Sequence, residues 1–126
     1  MAVEIANFIQ AVATVVVNSS SSYYLAGSAG VASLRRDAEG EFTLLLEQPL
    51  DCEAGSPSKY RAGVIINDMR PLGAGSCRAV PVPINAEEAP DTTPGSIKLL
   101  AYDDEGEPAD SLAVTVIVCS FPVKEG

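Results

Sequence analysis

The chain has 126 residues, with 8 basic and 17 acidic side chains and no His or Trp, for a formal net charge of −9. Without histidine there is no Ser-His-Asp or Cys-His pair, no imidazole metal ligand and no imidazole proton shuttle near neutral pH. The acidic balance has the wrong sign for direct nucleic-acid binding, which runs on phosphate neutralisation by Lys and Arg.

That length reads as one domain, able to bury roughly two-thirds of its unfolded surface and to fold without staples. Hydrophobic residues make up 47% of it and aromatics 6%, with 17 Ala and 13 Val. Small and β-branched side chains suit a pleated sheet better than a helix. No apolar run reaches the roughly 18 residues a membrane-spanning helix needs. Glu4 stands where a secretory signal would carry a basic residue, and Asn7 and Gln10 break the first apolar stretch. The start of the chain reads as neither signal peptide nor membrane anchor.

Residues 1–18 carry the one stretch of helical spacing: Ile5, Phe8, Ile9 and Val12 fall at i, i+3, i+4 and i+7. The stretch then runs into Ala13-Thr14-Val15-Val16-Val17, a β-branched run that prefers a strand. An N-terminal arm or short helix leading into a first strand accommodates both signals. Asn18 to Ser22 offers nothing apolar to bury and reads as a linker or loop. The expected organisation is an arm with a Ser-rich linker over residues 1–22 and a β-sandwich over 23–126.

From Tyr23 onward short strands alternate with turn residues. Val31 to Arg36 is the first clear strand, and Asp37-Ala38-Glu39-Gly40 reads as a hairpin loop ending on a left-handed glycine. Glu41 to Glu47 follows, with Phe42, Leu44 and Leu46 on one face and Glu41, Thr43, Leu45 and Glu47 on the other. Lys59 to Asn67 is the next strand. Cys77 to Ile84 is extended, but Pro81 and Pro83 cannot donate to a ladder, so it belongs at an edge or against another chain. Residues 85–95 form an acidic, Pro-rich loop. Ser96 to Tyr102 is a strand, Asp103 to Asp110 a tight acidic hairpin turn, and Leu112 to Phe121 the last strand.

That last strand alternates Ala113, Thr115, Ile117 and Cys119 with Val114, Val116 and Val118. Both faces are essentially apolar, so both need cover, which makes it a central strand. The second cover is either the N-terminal arm of the same chain or a neighbouring subunit. Strands spaced ten to fifteen residues apart predict an all-β, antiparallel, jelly-roll-like sandwich.

Candidate chemistry is sparse. Cys52, Cys77 and Cys119 are odd in number and include no C-x-x-C pair, which argues against zinc or an iron–sulfur cluster. Cys119 reads as a small buried hydrophobe, and Cys52 and Cys77 flank turn-rich segments and could approach each other. Asp103, Asp104, Glu105, Glu107 and Asp110 could be read as a calcium site, but the EF-hand spacing is absent and a solvated turn explains them. Glu87, Glu88 and Asp91 read the same way. A glycosidase pair needs one desolvated carboxyl group, and these acids sit among other acids in Pro- and Gly-rich loops. Gly27-Ser28-Ala29-Gly30 precedes a strand, so it lacks the helix N-terminus that cradles phosphate. Arg35 and Arg36 point to opposite faces of their strand. The residues show no catalytic constellation, no cofactor site and no metal site.

The stretch Gly30 to Leu44 (GVASLRRDAEGEFTL) resembles a pattern that opens a β-sandwich in small tailed-bacteriophage virion proteins. Ile97 to Val118 resembles the closing hairpin of the same proteins. These are head decoration (cement) proteins, head fibres and related tail-fibre modules, typically trimers, and the resemblance spans residues 30 to 121. It implies a structural virion protein, made in the host cytoplasm and carried on the capsid surface. Its partners would be the major capsid protein and two further copies of itself, with no nucleic acid, membrane or cofactor involved. Such a protein is not an enzyme and stabilises the shell by binding only the assembled lattice. In decoration proteins an N-terminal segment often lies along the capsid. The expected capsid or subunit interface is therefore Ile5, Phe8, Ile9, Val12, Val114, Val116 and Val118. The alternative is a tail-fibre or adhesin-type module that recognises a host surface, which the absence of Trp disfavours.

Overall fold

The computed structural model describes residues 9–50 and 62–120. Eight strands account for most of them: β1 (Ile9–Ser19), β2 (Ser22–Ala29), β3 (Val31–Ala38), β4 (Glu41–Leu46), β5 (Ala62–Asp68), β6 (Ser76–Pro81), β7 (Ile97–Tyr102) and β8 (Leu112–Ser120). They form two four-stranded antiparallel sheets, ordered β2-β1-β8-β5 and β3-β4-β7-β6. The protein is an all-β sandwich.

Period-2 alternation builds the core. Ala11, Ala13, Val15 and Val17 of β1 and Leu112, Val114, Val116 and Val118 of β8 point inward from the first sheet. Phe42 and Leu44 of β4 and Ile97, Leu99 and Ala101 of β7 meet them from the second. The Tyr23 ring packs edge-on against Phe42, centroids 5.6 Å apart, and joins β2 to β4. Each large apolar side chain buried in this way contributes roughly 1.5–3 kcal/mol relative to exposure.

Three sequence expectations are corrected here. First, the sandwich begins by Ile9, not at Tyr23: β1 lies between β2 and β8 and is the longest strand. The β-branched run outweighs the helical spacing because pairing with β8 from Ile9↔Cys119 to Val17↔Leu112 buries it in place. The supposed linker is the β1–β2 hairpin turn, closed by the Ser19↔Ser22 pair. Ile5 and Phe8, and with them any arm before Ile9, lie outside the described residues.

Second, Val114, Val116 and Val118 are fully buried within the single chain. They therefore cannot form a capsid or subunit interface; the outward positions of β8 are Ala113, Thr115, Ile117 and Cys119. Cys119 is accordingly half-buried on the outer face and is not a core residue.

Third, Asp103 to Ser111 does not close a hairpin. β7 and β8 belong to different sheets, so this segment carries the chain across the sandwich. The β2–β3 connection crosses at the opposite corner through Gly30 alone, at φ +74°. A Cβ there would stand 2.5 Å from the Gln10 carbonyl oxygen, so only glycine fits the corner. The Pro-bearing strand β6 sits at the edge of the second sheet.

Candidate interaction surface

The two outer faces of the sandwich differ in chemistry. On the second sheet, outward residues of β3, β4 and β7 build a charged network around Asp37, whose side chain is 2% exposed. Arg35 Nε donates to Asp37 Oδ1 at 2.6 Å, and Lys98 Nζ donates to Oδ2 at 2.9 Å. The Thr43 hydroxyl also donates to Oδ2. Arg35 reaches on to the Thr93 hydroxyl at 2.9 Å, and Lys98 to the Asp91 carbonyl at 2.7 Å. These contacts pin the acidic 85–95 loop over the sheet and leave Thr43 fully buried. Burial alone would push the Asp37 carboxyl up, but hydrogen bonds from Thr43, Lys98 and Arg35 together hold it below the ordinary carboxylate range.

Two more ion pairs lie at the end of the sandwich where Asp103 to Ser111 crosses. Arg36, on the opposite side of β3 from Arg35, grips Asp110 with two parallel donors, Nε to Oδ1 at 3.2 Å and Nη2 to Oδ2 at 2.9 Å. The Gly40 amide donates to the same carboxylate at 3.0 Å. Arg70 makes a fork with Asp68 and also donates to the carbonyls of Tyr102 and Ser111. Both carboxyl groups are held below their usual value, chiefly by the hydrogen bonds from their arginines. Asp103, the first of the acidic run, accepts the amides of Glu105 and Glu107 and so shapes its own turn. Among the described residues no three His, Cys, Asp or Glu side chains are grouped to hold a metal ion. Among the described residues Cys77 and Cys119 are free thiols, and Cys52, the suggested neighbour of Cys77, lies outside them.

The first sheet presents the opposite character. The register aligns Ala29, Val12, Ile117 and Ile65 in one row across β2, β1, β8 and β5. The next row is Gly27, Thr14, Thr115 and Asn67, and the third is Tyr24, Val16 and Ala113. Thr14 and Thr115 bond hydroxyl to hydroxyl at 3.2 Å in the centre. Met69, just beyond β5, accepts from the Thr115 hydroxyl and covers that end. Ile65 is 59% exposed, Tyr24 50% and Met69 46%, while Val12, Val16 and Ile117 are half-buried. The four strands of this sheet contain one charged residue, Asp68 at the end of β5, and Arg70 holds it.

An outer sheet face normally carries polar side chains. Here a molecule of net charge −9 presents an uncharged face of aliphatic, Thr, Asn and Tyr side chains. Of the residues expected at an interface, Ile9 is 42% exposed at the start of β1, and Val12 lies in the first row of this face. Sequence reading did not single out Ile65 or Tyr24, whereas the apolar alternation of the last strand already marked the face of Ile117 as one that needs cover. Such a face has the composition of a protein–protein contact. Comparison of the chain with family models, with curated proteins and with solved structures finds no match.

Proposed function

We propose that this chain is a structural virion protein, which binds the outside of a phage capsid as a homotrimer and stabilises the shell. The observation that carries the reading is the uncharged outer face of the β2-β1-β8-β5 sheet on an otherwise acidic molecule. Exposed Ile65, Tyr24 and Met69 around half-buried Val12, Val16 and Ile117 suit contact with protein better than contact with water. The titratable groups with shifted pKa values support the same reading. Asp37, Asp68 and Asp110 are each satisfied by a basic partner and hold the fold together, so no carboxylate is left poised for proton transfer among them. The resemblance of residues 30 to 121 to decoration proteins names the kind of assembly.

The stabilising effect follows from linkage. A protein that binds the closed lattice and not free capsid subunits shifts the equilibrium toward the shell by RT ln(1 + [L]/Kd) per site. The test is a quantitative gel of purified particles from infected cells. Hundreds of copies per head, lost on stripping together with resistance of the heads to heat, is the expected result. A few copies confined to tails would replace this reading with a receptor-binding module, and absence from particles would end it.

A further inference from the structure

We infer that the turn Pro71–Ala74 docks on the shell, Leu72 entering an apolar pocket of the partner protein and Asp104 meeting a Lys or Arg beside that pocket; this rests on the virion reading above and names its docking residues. The first ground is an exposure that the fold does not require. Leu72 is fully exposed, whereas the next large hydrophobic residue, Ile65, is 59% exposed. The Ala74 amide donates to the Pro71 carbonyl at 3.0 Å, and Gly73 at φ +88° supplies the left-handed third residue of a type II turn. That geometry fixes a glycine at 73 and makes no demand for leucine at 72.

The second ground is rigidity. Arg70, at the base of the turn, has a side chain 7% exposed and holds Asp68 at 2.6 Å, the Ser111 carbonyl at 3.0 Å and the Tyr102 carbonyl at 3.2 Å. At the other base a Cβ on Gly75 would collide with the Tyr102 carbonyl, so the chain lies tight against β7. A tip held from both sides loses little freedom on docking, which leaves more of the burial energy for affinity.

The third ground is charge beside the tip. Gly73, Gly75, Ser76, Asp103, Asp104 and Gly106 line a cleft of about 320 Å³ between this turn and the next. Asp103 spends its carboxylate on the amides of its own turn. Asp104 is exposed, and no Lys or Arg among the described residues pairs with it. An apolar tip beside such a carboxylate complements an apolar pocket with a basic side chain at its rim, and the charge pair sets the orientation of approach. The place is also open. The segments outside the described residues join at Ile9, Leu50, Ala62 and Ser120, which pairing gathers at the other end of the sandwich, about 20 Å away along β5.

The experiment is rebinding of the full chain to purified heads stripped of it, with bound protein measured on gels across a concentration series. Leu72→Ala is expected to weaken binding by at least about 10-fold, the worth of burying one leucine, and Leu72→Met to restore most of it. Asp104→Lys is expected to weaken binding and to remove its dependence on salt. Ile84→Ala, at an exposed apolar side chain beside Gly95 at the other end, is expected to bind as the wild type does. Leu72→Ala and Asp104→Lys should keep the wild-type urea midpoint, because both positions are exposed.

Leu72→Ala that rebinds as well as the wild type, or Ile84→Ala that loses as much as Leu72→Ala, overturns the docking site while leaving the virion reading in place. Leu72→Ala that lowers the urea midpoint overturns it too, since the side chain then packs within the free protein. Weak binding of Leu72→Ala with unchanged binding of Asp104→Lys keeps the tip and removes the basic rim from the partner. Wild-type protein that does not rebind heads removes the virion reading and this inference with it, so the two failures are told apart by the wild type.

Discussion

Lys98 of β7 and Asp37 of β3, 61 positions apart in sequence, meet at 2.9 Å beneath the 85–95 loop. Between their strands lies β4, whose Thr43 shares the same carboxylate oxygen. The three side chains tie three strands and a loop into one unit. Hydrogen bonds to charged groups contribute roughly 1.5–3 kcal/mol, so Asp37→Asn is expected to lower stability by about 2–3 kcal/mol and Lys98→Met by somewhat less. The two changes together should cost less than their sum, because they break one network. Urea unfolding checks this through a lower midpoint at unchanged slope.

The same carboxylates set the acid limit of the fold. Asp37, Asp68 and Asp110 all have folded-state values below their unfolded ones. In acid the unfolded chain therefore binds more protons, and stability falls as pH falls. Their contribution is complete above the unfolded carboxylate value of about 3.9 and is lost as pH drops below it through the folded values. Stability should thus be nearly flat from pH 7 to about pH 5 and drop steeply below about pH 4. Asp37→Asn should begin lower and fall less steeply, a comparison that urea midpoints across pH would read directly.

Gly30→Ala is expected to be severely destabilising, by roughly 2 kcal/mol or more, since it combines a positive φ with backbone contact at 2.5 Å. Gly106 has a similar φ of +81° but open space around it, so Gly106→Ala should cost only about 1 kcal/mol. Equal losses at the two sites in thermal melts would contradict the close approach of the corner to β1.

The register of β8 predicts opposite outcomes for neighbouring positions. Val116→Asp buries a charge in the core and should abolish folding, whereas Thr115→Asp places it on the outer face and should leave each copy folded. Deleting residues 1–18 should also unfold the domain, because it removes a central strand. Circular dichroism distinguishes these cases, and a folded Val116→Asp would mean that the strand is slipped by one residue.

Cys77 points into the sandwich beside the core, and burial pushes its thiol up to about 11, with Asp68 adding to the effect. At pH 8 only about one molecule in a thousand then carries the thiolate that reacts. Iodoacetamide should leave Cys77 unmodified in the native protein and alkylate it in urea. Peptide mapping resolves the site, and fast native labelling would place it outside the core.

Local pattern was enough to locate most strands. The alternation in Glu41–Glu47, the glycine of the β3–β4 turn, Pro81 at the end of β6 with Pro83 just beyond it, and the apolar β8 are all properties of short segments, and they determined an all-β sandwich with β8 central and β6 at an edge. They also determined that Arg35 and Arg36 serve different partners, because adjacent strand residues point apart. What they left open is long-range. Helical spacing in Ile5 to Val12 competed with β-branched preference, and pairing with β8, a hundred residues later, resolved it for the residues from Ile9 onward. Thr43 reads only as a position on the polar face of its strand, and its burial appears once Asp37, Lys98 and the 85–95 loop converge over it. Period 2 separates the two faces of β8, yet cannot say which one meets the second sheet. Only the assembled sandwich turns Val114, Val116 and Val118 inward and leaves Thr115 and Ile117 outward, because burial is a property of the facing layer and not of the strand.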